Sequence, residues 1–433
     1  MAHVAAVFVL GAASSCNIEE VVDPNGPSIN GVEQNASKGQ LNELVVGIEA
    51  TLRDGLGTET TASGVMAREL YLFDADPRNT GDLLGKEGIG LDNNSFYSVA
   101  QWNGSYRAIK NANLLIDAAS NTEFVSASEL GGYLGVAKTF KAYELIQILK
   151  SYGQARLDVD DPENLGPVLD FDAALAEVRN LLDEARQDLS GSQFAFPLSS
   201  GFEGFNSPET FVQFTNAVAA LAAVYANDGD AALSALSNSY FDLSGDLNLG
   251  PKHIFGQGGG DQINPVFRVP SSPENVNNGD QIIVHNSWIA EAEDGDARVT
   301  EKTAVRPDPT SQDDLNGTNE SRLYSSIVSP IDILRNEELI LVYAEASILA
   351  GNLADAETAL NVIRNAATLP DYSGASTVDA LTAEMLRQRR YSLWSENHRM
   401  FDLRRYGLSE TLPIDRTGDR IFNVLPIPLS ENL

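Results

Sequence analysis

Residues 335–366 read RNEELILVYAEASILAGNLADAETALNVIRNA, and this segment gives the clearest indication of the fold. Its apolar residues recur every three or four positions in two separate runs, which places each run on one face of a helix. Gly351 lies between the runs, where a helix commonly ends in a left-handed residue, and Asn352 is suited to cap the next helix. The stretch therefore predicts two helices joined by a tight turn.

The two helices are expected to pack against each other as an antiparallel pair. Leu339 and Val342 of the first helix should face Leu360 and Ile363 of the second. Such a pair is typical of a tetratricopeptide repeat, although a generic helical hairpin follows the same pattern. The residues of this pair alone leave that choice open.

The same helical periodicity recurs over most of the chain. The predicted helices cover residues 40–54, 99–119, 128–151 and 170–189, with a further helix that begins at Pro208 and ends near Tyr225. Proline is well tolerated in the first turn of a helix, which supports the start at Pro208. These patterns predict a mainly α-helical protein built from helix pairs.

The pattern changes between about residues 227 and 330. Turn-forming residues are concentrated in GQGGGDQ (256–262), PSSPENVNNGD (270–280) and RPDPTSQDDLNGTNE (306–320). Short apolar runs at 263–269 and 281–285 are compatible with strands or turns. We predict a long, irregular, loop-rich insertion on the helical scaffold, and long ordered loops often carry binding surfaces.

Composition excludes several classes of function. The 433 residues include 61 acidic and 29 basic side chains, for a formal net charge of −32, so nucleic acid is not expected as a partner. Cys16 is the single cysteine, which excludes a disulfide framework or a cysteine-based metal site within one chain. The chain contains no Gly-x-Ser-x-Gly, HExxH or Walker A motif, so we expect no catalytic activity, cofactor or metal.

The amino terminus is typical of an exported lipoprotein. Residues 4–13 form an apolar run that is too short to span a bilayer but fits the apolar region of a signal peptide. Small residues and then Cys16 follow, which predicts a signal peptide at 1–15 and lipidation of Cys16. The polar residues 16–40 then form a surface tether. The alternative interpretation is a buried helix that ends in a structural cysteine.

Four segments, in order, resemble the SusD/RagB family of outer-membrane nutrient-uptake lipoproteins. They are WNGSYRAIKNANLLI (102–116), residues 335–366, QRRYSLWSENHRMFDLRRYG (388–407) and VLPIPLSE (424–431). The family usually has Glu where Gln388 and Ser392 stand, which removes possible partners of neighbouring arginines. It has Gly where Asn397 stands, and Asn tolerates the same left-handed conformation.

The resemblance implies a single SusD-like domain over residues 41–433. Four tetratricopeptide-like helix pairs, at about 41–226 and 331–407, would carry the ligand-binding insertion at about 227–330. The implied protein is lipid-anchored at the outer-membrane cell surface. It captures a glycan and delivers it to a SusC-like, TonB-dependent transporter. The alternatives are the same uptake role for a peptide or another nutrient, or a secreted scaffold that binds only protein.

A glycan site needs aromatic rings that pack on the C–H faces of sugars, with polar groups beside them. The resemblance implies two regions for it, the insertion and the loop before the helix of Trp102. The candidates in these regions are Trp288, Tyr324, Phe73, Arg78, Asn79, Phe96 and Tyr97. The alternative for Trp288 is a place in a local core. The arginines of the segment 388–407 are expected to be structural, since Arg399 and Asp402 are three positions apart and can pair on one helix face; the alternative is an anion site. Trp102 and Trp394 are expected to lie in the core.

Overall fold

The computed structural model describes residues 33–161, 163–276 and 279–432. The predicted signal peptide, Cys16 and most of the predicted tether lie outside the described residues. The amino-terminal helices are α1 (Lys38–Thr51), α2 (Leu56–Met66), α3 (Phe96–Ser120), α4 (Ala127–Tyr152), α5 (Phe171–Leu189), α6 (Pro208–Tyr225) and α7 (Gly229–Leu236). The later helices are α8 (Asn286–Ala290), α9 (Ala297–Lys302), α10 (Asn336–Leu349), α11 (Leu353–Ala366), α12 (Val378–Ser392) and α13 (Arg399–Arg405). The predicted mainly α-helical fold is confirmed.

Local sequence signals account for several helix ends. The Ser126 hydroxyl accepts a hydrogen bond from the Glu129 backbone, and the Glu129 carboxylate accepts one from the Ser126 backbone, so α4 begins with a capping box. Pro208 lies in the first turn of α6, as predicted. Gly351 has a φ of 79°, in the left-handed region expected after the end of α10. Asn397 also adopts a positive φ, of 57°, which asparagine tolerates better than most residues.

Successive long helices pack side by side, with α4 between α3 and α5. Gly135 of α4 lies against Leu189 of α5, where an added Cβ would approach the Leu189 side chain to 2.4 Å. A larger residue at 135 would therefore push the two helices apart. Trp102 of α3 is 1% exposed, so its predicted place in the core is confirmed.

The pairing of α10 with α11 is observed, but its predicted facing is wrong. Leu339 and Val342 belong to the main apolar core, whereas Leu360 and Ile363 belong to a separate cluster. That second cluster takes Ile340, Leu341 and Ala344 from α10. The reason is that α10 is apolar around most of its circumference, and such a helix is buried on several sides at once.

The insertion contains more regular structure than its composition predicts. An antiparallel sheet has the strand order β1 (Leu70–Phe73), β5 (Gln281–Val284), β7 (Leu315–Ser321) and β6 (Thr303–Gln312). Two small antiparallel pairs join β2 (Gln154–Arg156) to β3 (Val168–Asp170) and β4 (Lys252–His253) to β8 (Ile331–Asp332). The apolar run 281–285 therefore supplies a strand, whereas 263–269 lies in turns and coil.

The sheet matters for the candidate site because β1 comes directly before the loop at residues 74–95. Leu70 pairs with Val284 and Phe73 pairs with Gln281, so the insertion fixes the start of that loop. The two sequence regions expected to bind ligand are thus joined through one sheet. Across the described residues, no helix is long and apolar enough to cross a membrane.

Candidate ligand-binding surface

The structure separates the seven predicted site residues into buried and accessible groups. The buried ones, with their exposed fractions, are Phe73 (4%), Asn79 (3%), Tyr97 (0%) and Trp288 (0%). Arg78 is exposed, and Phe96 and Tyr324 are partly exposed. Only the accessible group can touch a ligand in this structure.

Trp288 must be withdrawn as a stacking platform. Its ring centre lies 5.2 Å from that of Trp394 and 4.9 Å from that of Tyr391, and its Nε1 donates to the Arg390 carbonyl at 3.3 Å. The physical reason is that Trp288 belongs to the short helix α8 and not to an open loop. The helix directs the indole ring inward, where it packs in an aromatic core. Trp394 is also fully buried, as predicted.

The buried Tyr97 side chain holds the loop at residues 74–95 in place through two hydrogen bonds. Its hydroxyl donates to the Asp82 carboxylate at 2.8 Å and accepts from the Asp92 backbone N–H at 2.8 Å. Burial is the largest cause that raises the pKa of Tyr97, to about 12, so the phenol stays protonated at neutral pH. The residue is therefore a support for the surface and not part of it.

Phe73 and Asn79 support the same loop from its other end. The Phe73 ring is stacked on that of Tyr71, with 5.6 Å between ring centres. The Asn79 side-chain amide donates to the Asp74 carboxylate at 2.8 Å. Both residues are therefore withdrawn as direct ligand contacts, because each is almost completely buried.

Arg78 and Phe96 form the accessible part of the candidate site. The guanidinium carbon of Arg78 lies 4.8 Å from the centre of the Phe96 ring, within the range of a cation–π contact. Arg78 Nε and Nη2 donate to the two carboxylate oxygens of Asp76, at 2.9 and 2.6 Å. Arg78 Nη1 also donates to the Ser95 hydroxyl at 3.3 Å. We call Arg78 and Phe96, with Asp76 and Ser95, the Arg78–Phe96 surface.

This geometry leaves hydrogen-bonding capacity for a ligand. An arginine has five N–H donors, and the contacts with Asp76 and Ser95 use three of them, which leaves two. The Arg78 side chain is 45% exposed, so the remaining donors can reach solvent. The hydrogen bond from Arg78 lowers the pKa of Asp76. The surface therefore combines a fixed cation, an aromatic ring and a carboxylate.

The turn between β6 and β7 holds the loop in place. The Asp313 carboxylate accepts from the Thr80 hydroxyl at 3.1 Å and from Arg416 at 2.6 Å, and it pairs with Lys86. Sequence reasoning missed Asp313, Arg416 and the anchoring role of Asp76. The Asp76–Pro77 pair was a usable signal, because an acidic cap followed by proline is typical of the start of a helical turn.

Tyr324 lies in a different cavity, of about 340 Å³. Asp332, Arg335 and Glu396 line this cavity with it, and none of them takes part in the Arg78–Phe96 surface. Burial is the largest cause that raises the pKa of Tyr324. The structure therefore brings Arg78 and Phe96 together but leaves Tyr324 apart from them.

A search of residues 33–161, 163–276 and 279–432 finds no group of three or more His, Cys, Asp or Glu side chains that could hold a metal ion. The acidic stretch at 158–164 is included in that search except for residue 162.

Comparison with known proteins agrees with the fold. Residues 275–424 match the sequence model of the SusD family. No curated protein matches the sequence significantly. The match confirms the predicted relationship to the SusD/RagB family: residues 275–424 carry its sequence signature, and the chain has the SusD-like fold.

Several solved structures share this fold over nearly the whole chain. A SusD superfamily protein from Bacteroides vulgatus is 18% identical with a TM-score of 0.67, covering 92% of this chain and 96% of its own. Surface glycan-binding protein A from Bacteroides uniformis is 17% identical with a TM-score of 0.70, and the coverages are 91% and 97%. Surface glycan-binding protein A from Bacteroides thetaiotaomicron, in complex with laminarihexaose, is 17% identical with a TM-score of 0.69, and the coverages are 92% and 97%.

Proposed function

We propose that this protein captures a glycan at the cell surface and delivers it to a SusC-like, TonB-dependent transporter. The observation that carries the proposal is the SusD-like fold, shared along more than nine-tenths of the chain with surface glycan-binding proteins. The protein acts by binding and not by catalysis. The Arg78–Phe96 surface supports this role, because it places a ring beside hydrogen-bonding groups on a fixed loop.

We propose that the Arg78–Phe96 surface makes the glycan contact. A sugar has apolar C–H faces for the aromatic side of the surface and hydroxyls for the two free N–H groups of Arg78. Asp76 and Ser95 hold the guanidinium in one orientation, so little side-chain entropy is lost when a ligand binds. The ligand-bearing loop is also fixed through Asp313, which reduces the cost further.

A glycan array with the soluble protein tests the proposal, followed by titration calorimetry with the glycans that bind. Phe96→Ala and Arg78→Ala should weaken binding, whereas matched controls should not. Phe124 is 55% exposed on the segment between α3 and α4, so Phe124→Ala removes a surface ring elsewhere. Arg107 pairs with Asp54 and has a side chain that is 61% exposed, so it matches Arg78. Binding of peptides but no glycan would favour the peptide-uptake alternative.

The delivery step is tested by purification from detergent-solubilised membranes. We expect a TonB-dependent barrel to copurify with the native protein. Recovery of the protein alone, under conditions that preserve other such complexes, would count against the delivery role. Lipid anchoring at Cys16 is proposed on the sequence, and intact mass measurement should show loss of residues 1–15 with added acyl mass. A mature chain with residues 1–15 retained would contradict it.

A further inference from the structure

Most arginines of the carboxy-terminal helical segment are committed to the fold, as the sequence predicts. Arg389 Nε donates to the Asp402 carboxylate at 2.6 Å, and both side chains are buried. Arg405 pairs with Glu345 at 2.7 Å and with Asp402 at 3.2 Å. Arg404 donates to three backbone carbonyl groups. These guanidinium groups are therefore held by contacts within the fold.

Arg399 differs from these neighbours. Within the described part of the chain, its guanidinium makes no hydrogen bond and no salt bridge, although the residue is partly buried. The sequence suggests a local pair with Asp402, but that carboxylate is taken by Arg389 and Arg405. Burial is the largest cause that lowers the pKa of Arg399, and the charge of Arg390 adds to it. A partly buried, unpaired cation is costly and therefore needs an explanation.

Arg399 lines an open pocket of about 430 Å³ between α8, α12 and α13. Arg387 and Arg390 line it as well, and Glu291 is the one carboxylate among the lining residues that the structure describes. Ala383 and Leu408, both exposed, add apolar walls. The pocket therefore carries more basic than acidic side chains, in a chain whose net charge is −32.

Among the described residues, no acid near this pocket forms a salt bridge with Arg399. Glu291 pairs with Arg390, and Glu293 lies 3.6 Å from Arg387. Glu69 interacts with Arg399 electrostatically without a hydrogen bond, and burial raises its pKa to about 8. The charges of Glu69, Asp402 and Glu291 favour the protonated form of Arg399, but none of these carboxylates is hydrogen-bonded to it.

We infer that this pocket binds an oxyanion carried by a small ligand, a carboxylate or a sulfate group, with Arg399 as its principal contact. The planar guanidinium donates two parallel hydrogen bonds to such a group, which a lone ammonium cannot do. Arg390 and Arg387 add positive potential, and the apolar walls of Ala383 and Leu408 suit the carbon skeleton of an acidic sugar. The pocket shares no lining residue with the Arg78–Phe96 surface, so this inference stands or falls independently of the proposed function.

Titration calorimetry with sodium glucuronate, glucose and sodium sulfate, at constant ionic strength, tests the inference on the soluble protein. We expect glucuronate to bind with a millimolar or tighter dissociation constant and glucose not to bind at this pocket. Tighter binding of glucuronate than of sulfate would identify a sugar acid as the preferred source of the anion, whereas equal binding would identify a simple oxyanion pocket. Failure of both anions to bind would overturn the inference.

Substitutions of Arg399 test whether glucuronate binds at this residue. Arg399→Gln should weaken glucuronate binding roughly tenfold or more, because a charge-assisted bidentate contact is lost. Arg107→Gln, on an exposed and unrelated face, should leave it unchanged. The melting temperature of ligand-free Arg399→Gln should be unchanged or higher, since no ion pair is lost, whereas a structural arginine would give a fall. Unchanged binding in Arg399→Gln would contradict the inference.

Arg399→Lys distinguishes the contribution of the positive charge from that of the planar guanidinium. It also provides a second test of the contact if Arg399→Gln does not fold. Lysine keeps the positive charge but has no planar fork, so binding should fall several-fold and less than with glutamine. Glucuronate binding by Arg399→Lys equal to that of the wild-type protein, together with an unfolded Arg399→Gln, would assign Arg399 to the fold and overturn the proposed contact.

Discussion

Trp288 and Phe96 show how differently two aromatic residues near the insertion are used. Trp288 is completely buried between Trp394 and Tyr391. Phe96, at the start of α3, remains partly exposed beneath the guanidinium of Arg78. A position in a polar, turn-rich sequence therefore does not expose a ring. What decides exposure is whether the local segment forms a helical turn whose inner face meets the core, as α8 does.

The largest expected effect is on stability at the buried ring. Trp288→Ala should lower the free energy of unfolding by about 3–5 kcal/mol, because it removes a packed indole and leaves a cavity. Chemical denaturation of the variant measures this loss. The folded fraction should bind glycan as tightly as the wild-type protein. A loss below about 0.5 kcal/mol would show that Trp288 is not part of a packed core.

The helical scaffold should be nearly as sensitive. Leu360 is fully buried in the second apolar cluster, so Leu360→Ala should cost about 2–5 kcal/mol in unfolding free energy. Val46 is 55% exposed on α1, and Val46→Ala should change stability by no more than about 0.5 kcal/mol. If denaturant titrations gave equal losses of unfolding free energy for the two substitutions, the predicted difference between buried and exposed apolar residues would be wrong.

The scaffold was the more predictable half of the molecule. The periodic runs at 170–189 and 336–350 predict α5 and α10 almost to the residue, since long helices depend mainly on local pattern. The helices α8 and α9 were missed because each is shorter than two turns and gives little periodic signal. The facing of α10 was wrong because an apolar pattern around the whole helix does not say which side meets which partner.

The candidate site was less predictable because it depends on contacts between distant segments. The sequence indicates Arg78 and Phe96 as site residues, and the structure brings them together. It gives no sign that Asp313, more than 200 positions away, anchors the loop. Nor does it show that Arg399 lacks the partner that its spacing from Asp402 suggests. Such pairings are decided by tertiary packing, which a single sequence does not report.

A smaller expected effect is a pH dependence of the protein's stability that originates in the buried region, at Glu69. Burial raises the pKa of Glu69 from its ordinary value of 4.5 to about 8. Between these values the folded protein holds a proton that the unfolded chain releases, so stability should fall as pH rises. Melting temperature measured from pH 5 to 9 should decline in the wild-type protein, and Glu69→Gln should flatten part of that decline. An identical decline in the variant would contradict the assignment.

A substitution in the exposed Arg78–Phe96 surface should weaken glycan binding and hardly change the stability of the protein. Arg78→Ala removes the two free donors and the cover of the Phe96 ring, so glycan affinity should fall by about 1 kcal/mol or more. The ion pair of Arg78 with Asp76 lies on the surface, where such a pair contributes about 0–1 kcal/mol to stability. Calorimetry and thermal melting of the same sample measure both quantities. A large fall in melting temperature would show that Arg78 supports the fold.

The most direct test of the central claim, that ligand capture depends on the Arg78–Phe96 surface and not on Trp288, compares Phe96→Ala with Trp288→Ala. Both are titrated with a glycan that binds the wild-type protein, and both are melted without it. Folded Phe96→Ala should lose about 1–3 kcal/mol of binding free energy with little change in melting temperature. Trp288→Ala should lose stability and keep its affinity for the glycan. Full affinity in Phe96→Ala, or lost affinity in a folded Trp288→Ala protein, would contradict the claim.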